Sequence, residues 1–131
     1  MKNKDNFALL IDIVEITISF ITDETNVIWA DYDTPQDLLK NVKRDLKALE
    51  NSDLARLDKL KNYFLPTGTF QEVAISNGWS DEYLELSEEF DRLYNLIKSE
   101  QNKNIIARSF VKLKNNFISR LAHLKEQIKN N

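Results

Sequence analysis

Between Asn6 and Thr22 the polar residues Asp12, Glu15, Ser19 and Thr22 recur at spacings of three, four and three. They make one narrow polar stripe on a helix whose other positions are nearly all apolar, so the pattern predicts a helix covered on most sides. The β-branched residues Ile11, Ile13, Val14, Ile16, Thr17 and Ile18 also suit a strand. A lone strand would have nothing to pair with, and helix is the preferred reading. Asp23 to Asp33 follows as a polar connection holding Trp29 and Tyr32. Thr34-Pro35-Gln36-Asp37 then has the chemistry of a helix start: a capping hydroxyl, a proline preformed for the first turn, and an acid at the positive end of the dipole. Leu38, Leu39, Val42, Leu46 and Leu49 form its apolar face.

Asn51-Ser52-Asp53 predicts a break and a fresh cap, and Leu54, Leu57, Leu60, Tyr63 and Phe64 form the next face, ended by Pro66. Three of the four glycines and prolines lie between Pro66 and Gly78, so the backbone bends here. Thr67-Gly68-Thr69 turns the chain, Thr69 with Glu72 reads as a capping box for a short helix carrying Phe70, Val73 and Ile75, and Asn77-Gly78 stops it. Ser80 is placed to cap a long helix with Leu86, Phe90, Leu93, Tyr94 and Ile97 inward. A polar break over Ser99 to Asn104 is expected before a last helix, where Ile106, Phe110, Leu113, Phe117, Leu121, Leu124 and Ile128 recur at spacings of three and four. No internal repeat is evident in this reading. The expected fold is an all-α, single-domain antiparallel bundle of five or six helices spanning residues 1–131.

At 131 residues the chain has the length of one domain. It has no cysteine, which excludes a disulfide framework and thiolate metal sites and fits the cytoplasm. The apolar stretch Phe7 to Ile21 is too short to span a bilayer and lacks a cleavage site, so neither a membrane anchor nor a signal peptide is expected. The abundance of Asn, Lys and Ile points to an AT-rich bacterial genome. Charge is unevenly spread: residues 1–40 sum to −5, residues 41–97 to −4 and residues 98–131 to +6. Within the basic segment Arg108, Lys112, Lys114, Arg120, Lys125 and Lys129 spread around the helix, and with an overall charge of −3 nucleic acid is not an expected partner.

The segment PTGTFQEVAISNGWSDEYLELSEEFD resembles a pattern found in small, functionally uncharacterised bacterial proteins, in which a PTG turn is followed by a Gln-Glu pair and Asn-Gly-Trp. The resemblance covers roughly residues 64–91 and implies no activity. Trp79, directly after the glycine stop, either plugs the corner or projects from it. Trp29, Asp31, Tyr32 and Asp33 combine aromatics and acids as a surface for a cationic protein partner would. Trp79 joins them as a candidate partner-binding residue.

Catalytic chemistry finds little material. The single His123 lies off the apolar stripe, no Glu-x-x-His pair exists, and two glycines cannot build a phosphate loop. One alternative remains. Asp12 and Glu15 sit one turn apart, as do Glu85, Glu88 and Asp91, and carboxylates on facing helices can hold magnesium. That arrangement resembles the all-α nucleotide pyrophosphohydrolases and implies a small magnesium-dependent hydrolase using Asp12, Glu15, Glu85 and Glu88. The favoured expectation is a non-enzymatic interaction protein without cofactor, an immunity-like blocker of a basic toxin domain, with self-association compatible.

Overall fold

The computed structural model describes residues 2–51 and 53–130, with side chains from residue 6 onward. The order is α1 (Lys2–Ser19), a short 3-10 turn (Ile28–Ala30), α2 (Pro35–Glu50), α3 (Ala55–Tyr63), α4 (Thr69–Asn77) and α5 (Ser80–Asn130). The fold is all-α, a helical bundle with no strand among the described residues. The chain divides into two compact units, Met1–Ile97 and Lys98–Asn131.

Local chemistry accounts for most helix ends in the first unit. Thr34 caps α2, its hydroxyl accepting from the Asp37 amide at 3.2 Å with Pro35 in the first turn. Ahead of α3 the Asp53 carboxylate accepts from the Ala55 amide at 3.3 Å; Ser52 lies outside the described residues. Gly78 ends α4 at φ 82°, the left-handed cap that its sequence position predicts. The Trp79 carbonyl then starts α5 by accepting from the Tyr83 amide at 2.9 Å, so only two residues separate α4 from α5.

The core of this unit is built where those helices meet. α1 contributes Leu10 and Val14, with Ile21 two residues past its end, α2 Leu38, Val42, Leu46 and Leu49, and α3 Leu57 and Leu60. Phe64 is the aromatic hub, stacked on Phe90 at 4.1 Å and edge-on to Phe70 at 4.9 Å, which joins the end of α3 to α4 and α5. Three expectations need correction. α1 is not covered on most sides, since Leu9 and Ile16 are exposed while Ile13, and Phe20 just past its end, are half-buried. Ile75 faces outward rather than inward. The break over Ser99–Asn104 does not form: α5 runs through it, because Glu, Gln and Lys are good helix formers and polarity alone, without Gly or Pro, does not stop a helix.

In the second unit the residues from Asn102 to Asn130 are helical and exposed. Its face of Ile106, Phe110, Leu113, Phe117, Leu121, Leu124 and Ile128 was expected to enter a core; instead these side chains are 41–75% exposed.

Candidate interaction surfaces

The Asp23–Asp33 connection is held in shape from both ends. Asn77, the last residue of α4, mimics a strand neighbour. Its Oδ1 accepts from the Asn26 amide and its Nδ2 donates to the Asn26 carbonyl, both at 2.8 Å, while Nδ2 also donates to the Val73 carbonyl at 2.7 Å. On the other side Gln36 Nε2 donates to Asp23 at 2.8 Å. Val27 is buried as the anchor, and the turn Ile28–Ala30 closes on Asp31, which adopts a left-handed conformation at φ 63°. What this frame presents is Trp29, 72% exposed, with Ile28 beside it. Asp31 and Asp33 are also exposed, whereas Tyr32 packs against the core and its hydroxyl accepts from Asn41 at 3.2 Å. Of the aromatic and acidic residues expected to form a partner surface, Trp29, Asp31 and Asp33 are available to one and Tyr32 supports the turn.

Trp79 does not belong with them. It is 5% exposed and stacks on Phe20 at 4.8 Å, so it is a core plug and not a partner-binding residue. Its indole Nε1 is buried without a hydrogen-bond partner.

The PTG corner owes its shape to backbone crowding. Thr67 sits at φ 59° and its amide is taken by the Gln71 side chain at 2.7 Å. The expected Thr69–Glu72 capping box is absent: Gly68 occupies the cap position, without a side-chain bond, and Thr69 is already helical. A β-carbon on Gly68 would lie 2.7 Å from the Leu65 carbonyl oxygen, which explains glycine there through close approach and not through φ. Trp29, Ala30 and Asp31 line a shallow recess of about 180 Å³ together with Thr67, Gly68, Thr69 and Glu72.

The acids of the alternative reading do not assemble. Asp12, Glu15, Glu85 and Glu88 are all exposed, and among the described residues no group of three or more His, Asp or Glu side chains is placed to hold a metal ion. Asp91 is engaged by Lys61 in an ion pair. The buried carboxylate is one that sequence reading missed. Asp45 on α2 accepts from Arg56 at 3.1 Å and from Tyr63 at 2.9 Å, so its lone pairs are spent on joining α2 to α3. Burial first, then this bond, pushes the Tyr63 phenol well above its ordinary range. Burial likewise raises Tyr83 to about 12, and a hydrogen bond to Asp58 raises Tyr94 to about 12. These are structural perturbations, each explained by a neighbour already in place.

In the second unit the exposed apolar stripe follows an internal repeat, contrary to the expectation that the chain has none. KNIIARSFVKL (103–113) and KNNFISRLAHL (114–124) align residue for residue, and KEQIKNN (125–131) begins a third copy. Lys103, Lys114 and Lys125 share one register, Ile106, Phe117 and Ile128 a second, Phe110 and Leu121 a third, Leu113 and Leu124 a fourth. The signal is a period of eleven, three helical turns, carried by residue classes more than by identities. Among the described residues no helix is long and apolar enough to cross a membrane. Compared with known proteins, the chain matches no family model, no curated relative and no solved structure.

Proposed function

We propose that the chain is a non-enzymatic protein-interaction module. The observation that carries this reading is the unbroken stripe Ile106–Ile128, seven apolar side chains in helical register on a segment whose residues are all exposed. Helices in proteins owe most of their stability to burying an amphipathic face, and a contiguous exposed patch of this kind marks a surface that another molecule covers. The first unit supports the same class from another side. Residues 1–97 carry ten basic and nineteen acidic side chains, and Trp29 stands out from the bundle beside Asp31 and Asp33. An exposed tryptophan among acids is the anchor chemistry that a basic protein domain would meet. An immunity-like protein of the bacterial cytoplasm, blocking a basic toxin domain by direct contact, is the concrete form we favour.

The test is retention of partner protein by the full-length chain in cross-linked extracts of its source cells. A partner held by the wild type and lost with Trp29→Ala or Phe117→Asp supports the module reading. Turnover of a nucleoside triphosphate with magnesium that disappears in Glu15→Gln would overturn it.

A further inference from the structure

Granting that the stripe is an interface, its own chemistry and that of the first unit identify what covers it. The repeat places apolar residues at spacings of four, three and four: Ile106, Phe110, Leu113, Phe117, and again Phe117, Leu121, Leu124, Ile128. Eleven residues over three turns is 3.67 per turn, so the stripe stays nearly straight along the helix instead of winding around it. Lys103, Lys114 and Lys125 run alongside it, one per repeat, and the segment 98–131 contains only two acids, Glu100 and Glu126. Two such helices laid together would set a charge of +6 against another of +6, which disfavours pairing of like with like. The face that suits this helix is apolar with an acidic rim.

The first unit carries such a face. On α1 Leu9 and Ile16 are exposed, and half-buried Ile13 and, just past the helix end, Phe20 continue the row, again at four, three and four. Ile13, Ile16 and Phe20 form the floor of a groove of about 360 Å³ completed by Leu86, with Glu82 and Glu85 along its edge. Both glutamates are exposed. Matched spacing lets the ridges of one helix enter the grooves of the other, and the lysine line of the repeat meets the glutamate edge. We propose that the groove between α1 and the first turns of α5 receives the basic repeat helix of a second copy of this chain. Each copy owns both halves of the contact, so a closed pair makes it twice.

The experiment uses full-length protein in sedimentation velocity over the micromolar range, with circular dichroism confirming helix content for each variant. The wild type is expected to self-associate. Glu82→Lys/Glu85→Lys reverses the groove and Lys114→Glu/Lys125→Glu reverses the helix; each alone should weaken association at least about tenfold, the effect of losing two ion pairs and placing like charges together. An equimolar mixture of the two variants should associate again, because every groove then finds a helix of opposite charge. A groove variant that associates as the wild type does would overturn the proposal in favour of helix–helix pairing. A monomeric wild type would overturn it too. If its amides 106–128 are then protected, the helix has folded back on its own groove; if Phe117→Asp abolishes capture of a different protein, the interaction-module reading survives and the second copy does not.

Discussion

Removing the Asn77 side chain tests whether α4 holds the Trp29 loop. Asn77→Ala deletes two hydrogen bonds to the Asn26 backbone and one to Val73, all at 2.7–2.8 Å, across a sequence separation of 51 residues for the first two. Each such bond has a net worth of about 1 kcal/mol. Water can replace the two at Asn26 because that end is exposed, so the sum expected is about 2 kcal/mol. The substitution leaves Gly78 and the Trp79 amide still bonded to Ala74, so α4 keeps its end. Asn77→Asp is the sharper variant. A carboxylate can still accept from the Asn26 amide but has nothing to donate, and its second oxygen would face the carbonyls of Asn26 and Val73; the loss should equal or exceed that of alanine. Urea unfolding should show a lower midpoint with an unchanged slope, while amide exchange at Asn26 accelerates. A loss under about 0.5 kcal/mol with the Asn26 amide still protected would refute the reasoning and show that burial of Val27 alone positions the loop.

Three further outcomes follow from the same geometry. Trp79→Ala should cost about 3 kcal/mol in chemical denaturation, as for other buried large aromatics, and a loss below about 1 kcal/mol would put the ring outside the core. Gly68→Ala should cost about 2 kcal/mol, because its β-carbon meets a backbone oxygen that cannot turn away; Gly78→Ala has open space and should lose only about 1 kcal/mol through its positive φ, so a reversed order in thermal unfolding would contradict both accounts. Tyr83 and Tyr94 are raised to about 12 from an unfolded value near 10. The folded state thus favours the neutral phenol, its stabilisation is complete below pH 10 and falls away between pH 10 and 12. Tyrosinate absorbance should lag behind a free-phenol titration, and Tyr94→Phe should flatten part of the alkaline loss of stability.

What could be read from the chain was mostly what neighbours in sequence decide. Thr34-Pro35 starts α2 and Asn77-Gly78 ends α4 because caps act over three or four residues. The same stop left Trp79 either to plug the corner or to project from it, and only its stacking on Phe20, from a distant part of the chain, makes it a plug. Contacts between distant residues were not legible. Asp45 reads as one more acid on a helix until Arg56 and Tyr63, brought in by α3, close around it. Thr69 looked like a cap because Glu72 follows at the right spacing, yet Gly68 and Gln71 satisfy the turn first. The heaviest misreading concerned the second unit. Apolar periodicity says that a face will be buried but not where, so Ile106–Ile128 was assigned to a core that the first unit already fills from its own residues. The acids Asp12, Glu15, Glu85 and Glu88 failed in the opposite way: spacing put each pair on one helix face, and nothing in spacing says whether two faces converge.

The continuity of α5 has a kinetic and entropic meaning for its outer segment. Starting a helix is the unfavourable step, since several residues must be fixed for the first hydrogen bond, whereas each later residue adds one bond for one residue ordered. Tyr83, Phe90, Leu93 and Ile97 are fixed by the core, so the residues beyond Ile97 extend an existing helix and need no nucleus of their own. Helicity should therefore decay outward, with amide protection falling gradually toward Asn130 in place of one cooperative opening. A partner meeting this segment would find its apolar rows already in register over the inner repeat and would have to order only the outer turns, which lowers the entropy lost on association. The bundle thus serves the exposed repeat as a permanent template.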